Sequence, residues 1–228
     1  MIRRYVGAVL AVVGVLLLVD VALTLTWKEP VTWFLTRNDQ SELEKRFAQL
    51  DRSLAGVTPV QPAGSGEDAS RFEARMRKAA RQLERKVENG DPIGRLEIPS
   101  IGIRMMVVQG ADTDDLKIGP GHYTQTRLPG ERGTVGLAGH RTTYLQPFRK
   151  IDELRPGQRI SLTMPYGRFD YVVTGRRIVS PQTVSVLNSR SGAERIVLTA
   201  CHPLFSARER IVVFGRLAKA TPRRPAAA

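Results

Sequence analysis

Cysteine occurs once in the 228 residues and histidine only three times. One thiol excludes an internal disulfide framework and a structural zinc site built on several cysteines. The redox compartment therefore has to be read from topology. Aromatic residues make up 6% of the chain. Acidic side chains are scarce, 22 against 35 Lys and Arg, which leaves a net charge of +13. An excess of that size selects anionic surroundings: nucleic acid, acidic lipid headgroups or an anionic cell wall. The chain has no zinc-finger spacing, no aromatic RNA-binding signature and no recognition-helix pattern, so no nucleic-acid partner is expected. Internal repeats are missing too. No carboxylate cluster of the calcium-binding kind stands out, and neither a metal nor a cofactor is expected.

Long apolar runs are equally rare. The one that exists, residues 6–27, follows Ile2-Arg3-Arg4 and is broken only by Asp20 and two threonines. About 20 such residues span the hydrocarbon core of a bilayer. A secretory signal peptide has a shorter apolar region and a small-residue cleavage site, which Ala8, Ala11 and Ala22 do not supply. The run is expected to be an uncleaved transmembrane signal-anchor. Arg3 and Arg4 would hold residues 1–5 in the cytoplasm and leave the bulk of the chain on the cell-wall side of the plasma membrane. Lys28 alone runs against that orientation. Trp27 and Trp33 suit the interface, and Asp20 can snorkel towards it.

Residues 28–92 read as an extracytoplasmic helical stalk with a linker. Leu43, Phe47 and Leu50 recur at helical spacing behind a Ser41-x-x-Glu44 start that resembles a capping box. Residues 58–66, rich in Pro, Gly and Ser, break the pattern as a flexible linker. A second helical pattern, rich in alternating charge, runs over 72–87 and closes at Asn89-Gly90. From residue 93 the character changes. A hydrophobic fraction of 42% with 20 Gly and 14 Pro supports a packed core with frequent turns. Short Val/Ile runs over 94–98, 101–108, 133–140, 158–164, 168–173 with 178–179, 196–201 and 210–217 give about eight strands and no long helix between them. This is an all-β pattern, an antiparallel barrel or sandwich over 93–218, with a disordered tail over 219–228.

The lone thiol lies at the end of an apolar strand, Leu198-Thr199-Ala200-Cys201-His202. A free cysteine is most often a small buried hydrophobe. The alternative is a nucleophile served by a base and by nearby positive charge. His202 points to the opposite face of an extended strand. That leaves His140, at the end of Leu137-Ala138-Gly139-His140, and His122, in Gly119-Pro120-Gly121-His122-Tyr123. Spacing does not choose between them. Arg208 and Arg210 stand two apart at the head of the last strand and can share a face. A guanidinium there would favour a thiolate and hold a carbonyl oxygen as negative charge develops on it. A zinc site of Cys201 and histidines is a further alternative.

The runs Leu137-Ala138-Gly139-His140-Arg141-Thr142-Thr143, Leu198-Thr199-Ala200-Cys201 and Arg210-Ile211-Val212-Val213, in that order, resemble the sortases, cysteine transpeptidases of Gram-positive bacteria. With Gly119-Pro120-Gly121-His122-Tyr123 and Pro129-Gly130-Glu131-Arg132-Gly133, the chain is most similar to class E, the actinobacterial housekeeping group. The resemblance implies a closed eight-stranded β-barrel, Cys201 as nucleophile, His140 as general acid/base and Arg210 as the oxyanion-stabilising arginine, with Arg208 as fallback. It further implies substrate contacts from Thr142, Thr143, Tyr144, Thr199, Ala200, His122 and Tyr123. Ala200 departs from the Thr that many relatives carry before the cysteine. The partners implied are secreted proteins with C-terminal sorting signals of the Leu-Ala-x-Thr-Gly or Leu-Pro-x-Thr-Gly kind, and an amine of a peptidoglycan precursor, lipid II. A pilus-polymerising sortase and an inactive membrane-anchored peptide-binding domain are the alternatives. An L,D-transpeptidase also uses Cys, His and Arg, but packs Gly, Cys and Arg within a few residues; here Arg210 is nine residues past Cys201.

Overall fold

A computed structural model describes residues 2–26, 30–55, 69–189 and 194–223. The linker expected over 58–66, the interfacial Trp27, Lys28 and residues 224–228 of the expected tail lie outside them. Three helices lead the chain: α1 (Ile2–Thr26), α2 (Pro30–Ala55) and α3 (Ala69–Glu84). Eight strands follow: β1 (Pro92–Ile98), β2 (Ile103–Gln109), β3 (Gly121–His122), β4 (Thr134–Ala138), β5 (Arg159–Met164), β6 (Gly167–Val179), β7 (Arg195–His202) and β8 (Glu209–Pro222). They close into a barrel in the order β1-β2-β3-β4-β7-β8-β6-β5, and β1 pairs with β5 to complete it.

Closure was expected; a purely antiparallel ladder was not what formed. The pairs β2–β3 and β4–β7 are parallel. Two parallel neighbours send their C-terminal ends out at the same rim, and this arrangement places the site. The barrel interior follows the strand period of two. Val135 and Leu137 of β4, Ile196, Leu198 and Ala200 of β7, and Ile211 and Val213 of β8 all enter the main core. The intervening residues Val197 and Val212 face outwards, against Leu187.

The expectation of a free stalk over 28–92 needs correction. The helical spacing is real, but its apolar face is spent on the barrel. Leu43 and Phe47 of α2 pack on Met106 and Val108 of β2. Leu54 of α2 and Met76, Ala79, Ala80 and Leu83 of α3 join the main core. Such burial is worth about 1.5–3 kcal/mol for each large side chain, so these helices belong to the folded domain. Gln40 fixes the approach by donating to the Ile118 carbonyl at 2.6 Å and accepting from the Met106 amide at 2.7 Å.

The tail boundary moves as well. Residues 219–222 are not disordered: β8 runs to Pro222 and pairs with the start of β6. Just beyond, Arg223 makes a 2.9 Å ion pair with the buried Asp51 carboxylate of α2. The charge that looked like loose tail thus neutralises a buried acid, which would otherwise be costly.

Residues 6–19 of α1, where described, expose valine and leucine side chains; Leu18 is 70% exposed. By length and hydropathy, no helix among the described residues is long and apolar enough to cross a membrane.

Candidate active site

β7 carries Cys201 to the barrel rim, and β8 returns beside it. In the antiparallel register Cys201 stands directly opposite Arg210, with Ala200 opposite Ile211 and Thr199 opposite Val212. Directly opposed residues share a face, with Cβ atoms about 4.5–5.5 Å apart. Ala200 and Ile211 point into the barrel, so Cys201 and Arg210 share the outer face. Both are half-buried. Arg210 Nη1 donates to the carbonyls of Ala207 and Glu209 at 2.9 and 3.0 Å. Those bonds hold the guanidinium at the strand head and leave Nε and Nη2 without partners among the described residues. Arg208 lies before β8 begins and is exposed. The backbone thus separates two arginines that the sequence left nearly equivalent.

His140 arrives by the parallel pairing. Ala138 of β4 is in register with Thr199 of β7, and the ladder runs one bond further, Gly139 N–H to the Thr199 carbonyl at 3.1 Å. His140 and Cys201 therefore reach the rim together, each two residues past the last paired positions, Ala138 and Thr199, on adjacent strands. Gly139 is required here because an added Cβ would sit 2.6 Å from the buried Phe148 ring. The His140 ring lies 5.1 Å from that of Tyr144, tilted by 40°. Its Nε2 is buried and has no hydrogen-bond partner among the described residues. Burial lowers the imidazole pKa below its ordinary value and favours the neutral ring.

The other expected substrate contacts divide. Tyr123 and Thr199 are joined at 2.8 Å, hydroxyl to hydroxyl, on the outer face where Tyr123 packs with Leu187, Val197 and Val212. Gly136 allows this packing: a Cβ there would lie 3.0 Å from Leu187 and 3.1 Å from Tyr123. Thr142, Thr143 and Tyr144 follow His140 in the irregular stretch before the 3-10 turn Ile151–Glu153; of the three, Tyr144 makes the ring contact with His140.

Two contacts are overturned. Ala200 is 4% exposed inside the main core, because alternation turns it away from Cys201's face. A threonine there would meet the barrel interior, so the departure from relatives is a core substitution. His122 is 2% exposed. Its Nε2 faces the Arg127 carbonyl at 3.2 Å and Thr126 Oγ1 at 3.1 Å, and its Nδ1 faces the Gln109 amide at 3.0 Å. No ring nitrogen is left for a substrate or for Cys201, which removes His122 as candidate base.

His122 instead carries a pH effect on stability. Burial pushes its pKa down to about 4 from an ordinary 6.5. The unfolded chain binds this proton as pH falls through 6.5, whereas the folded one resists until about 4. Its contribution is therefore complete above pH 6.5 and is lost between there and pH 4, up to about 3 kcal/mol. Urea unfolding at pH 7.5 and 4.5 is expected to show a smaller acid loss in His122→Gln than in the unmodified protein. An equal loss would contradict the assignment.

Sequence reasoning passed over Arg141 and His202. Arg141 is the largest of the fully buried side chains, and one of its guanidinium nitrogens lies 3.2 Å from His202 Nδ1. The residue stood in a quoted motif, but nothing in the order of residues marks an arginine as buried. Among the described residues, three of the four non-glycine residues with positive φ, Tyr144, Gln146 and Phe205, fall in the loops after His140 and Cys201. Strained backbone gathers at functional sites. Among the described residues, no group of three or more His, Cys, Asp or Glu could hold a metal ion.

The family model of the Sortase domain matches residues 96–218. Sortase D of Bacillus subtilis is 33% identical over 169 residues, 73% of this chain and 80% of that protein. Sortase E1 of Streptomyces coelicolor, whose crystal structure holds a tripeptide in the active site, is similar with a TM-score of 0.56 and 28% identity over 61% of this chain and 95% of that one. Sortase C of Clostridium perfringens, solved with the C-terminal cell wall sorting motif, gives a TM-score of 0.57 and 26% identity over 68% of this chain and 92% of that one. With its closed barrel and its one cysteine at the rim beside a histidine and an arginine, the chain belongs to the sortase family and is a cysteine transpeptidase.

Proposed function

We propose that Cys201 is the nucleophile, His140 the general acid/base and Arg210 the oxyanion donor in cleavage of a C-terminal sorting motif between Thr and Gly. The observation that carries this is the register: Cys201 opposite Arg210 on paired strands, with His140 issuing beside them from the parallel neighbour. In the first step the Cys201 thiol gives its proton to His140 and Sγ bonds to the threonine carbonyl carbon, while Arg210 Nε and Nη2 donate to its oxygen. The C–N bond to glycine then breaks as His140 hands a proton to the leaving amine. In the second step an amine attacks the thioester and yields its proton to His140. The thiolate leaves and takes that proton back from His140, and a new amide remains.

The acceptor is an amine on a peptidoglycan precursor such as lipid II, which suits a chain of net charge +13 beside an anionic wall. Anchoring is by α1: its exposed Val and Leu side chains form an apolar surface that lipid would cover, and Arg3 and Arg4 precede it. The catalytic domain then faces the cell wall. Class E membership rests on the Gly119-to-Tyr123 and Pro129-to-Gly133 runs and on the likeness to sortase E1, and it favours Leu-Ala-x-Thr-Gly substrates.

The test is cleavage of paired peptides that differ only in Ala or Pro at the second motif position, with candidate amines as acceptors. Arg210→Ala is expected to lower kcat on the order of 100-fold, in the range for loss of one oxyanion donor. Arg208→Ala should stay within twofold. The reverse result would move the oxyanion role to Arg208, and no cleavage of either peptide would remove the substrate assignment.

A further inference from the structure

The chemistry above leaves idle the most deeply buried charge near the site. Arg141 follows His140 in sequence and is 2% exposed. Its Nε and Nη2 donate to the Arg149 carbonyl at 3.4 and 3.2 Å. Nη2 also pairs with Asp152 Oδ1 at 2.8 Å, and Nη1 lies 3.2 Å from His202 Nδ1. A guanidinium only donates, so His202 Nδ1 is the acceptor and its ring proton sits on Nε2. One side chain thus joins the residue after His140 to the residue after Cys201, across 61 positions of sequence. On the surface the same two loops meet a second time, where the Arg149 guanidinium covers the Phe205 ring at 5.9 Å.

These loops carry the left-handed residues Tyr144, Gln146 and Phe205. Non-glycine residues hold such conformations only where their surroundings over-determine them. The surface contact is too exposed to do that, since Phe205 is 68% exposed. Arg141 is enclosed, and its three acceptors come from three segments: the Arg149 backbone, the 3-10 turn Ile151–Glu153 and the end of β7. A lysine offers one compact ammonium in place of a planar fork and cannot span all three.

We propose that Arg141 is a positioning residue that sets the separation of His140 and Cys201 by clasping the loop after one to the strand end after the other. The proposal rests on the assignment of Cys201 and His140 as the reacting pair. Misplacement of such a pair by about 1 Å costs on the order of 100-fold in rate. The clasp acts on proton transfer and makes no hydrogen bond to the outer-face residues Tyr123 and Thr199, so its loss falls on kcat and spares KM.

The test compares full-length Arg141→Lys, His202→Phe and the double variant by kcat and KM for sorting-peptide cleavage. A second readout needs no peptide: the pH dependence of Cys201 alkylation by iodoacetamide, calibrated against His140→Ala. Arg141→Lys is expected to lower kcat about 10- to 100-fold with KM within twofold, and to shift the alkylation profile towards that of His140→Ala. His202→Phe breaks the same link, so the double variant should be no slower than Arg141→Lys alone.

A kcat within twofold of the unmodified protein, an unchanged alkylation profile, or penalties that multiply in the double variant would each overturn the proposal. Should Arg141→Lys fail to fold, His202→Phe decides it: a fall in kcat at constant KM supports the clasp, and unchanged kcat overturns it. An unmodified protein that ignores sorting peptides but shows a His140-dependent alkylation profile would overturn the substrate assignment and leave the clasp standing.

Discussion

Cys201→Ala is expected to abolish sorting-peptide cleavage, a loss on the order of 10⁴-fold or more, with melting temperature unchanged within about 2 °C. Loss of a nucleophile that works as a unit with its base removes nearly the whole covalent pathway. Stability should hold because Cys201 lies near the end of its strand, half-buried on the outer face, and trimming one sulfur there leaves no enclosed cavity. No other cysteine can replace it. Chromatographic release of the C-terminal peptide fragment measures the effect. Cleavage by Cys201→Ala within tenfold of the unmodified rate would exclude a thioester route.

His140→Ala should cost about 10³-fold in kcat, within the range for loss of a positioned general acid/base. Its ring has a specific pH signature. Burial holds the imidazole pKa below the ordinary histidine value, so the neutral form persists to lower pH than in an exposed histidine. The acid limb of kcat/KM is therefore expected below that ordinary value, and it should vanish in His140→Ala. Full activity through neutrality and a decline only on further acidification is the corresponding profile. An acid limb at or above the ordinary value would contradict the burial argument, and retention of a tenth of the activity by His140→Ala would remove the role.

Much of the barrel was legible because its strands repeat in twos. Ile196, Leu198 and Ala200 alternate with Val197, Thr199 and Cys201, and that alternation separates the barrel interior from its outer face. The same rule places Ala200 inside, so its expected substrate contact was overturned by a periodicity visible in the sequence. β3 escaped notice because two residues, Gly121 and His122, are too few to show any period. The parallel β4–β7 pairing was illegible for another reason. It joins Thr134 to Arg195, a long-range contact that no local pattern encodes.

The helices illustrate the limit of amphipathic spacing. Leu43, Phe47 and Leu50 announced an apolar stripe, but the stripe does not say what covers it: Met106 and Val108 meet Leu43 and Phe47, and Leu50 packs against the main core. Arg223 looked like tail charge until Asp51 was found buried opposite it. At the site, residue types and order disclosed Cys201, His140 and a pair of arginines. The resemblance already pointed to Arg210 over Arg208, and the start of β8 at Glu209 adds a physical reason, since it puts Arg210 opposite Cys201. Excluding His122 required its three hydrogen-bond partners, and Arg141 needed its burial, which depends on Arg149, Asp152 and His202 closing around it.

The central claim is that Cys201 carries the acyl group. Mass spectrometry of the protein quenched in acid during turnover of a sorting-motif peptide tests it most directly. The account predicts an added mass equal to the peptide up to its threonine, lost on treatment with hydroxylamine and located by digestion to the fragment that contains Cys201. Turnover with no such adduct in an amine-free reaction, or an adduct on any other residue, would contradict it.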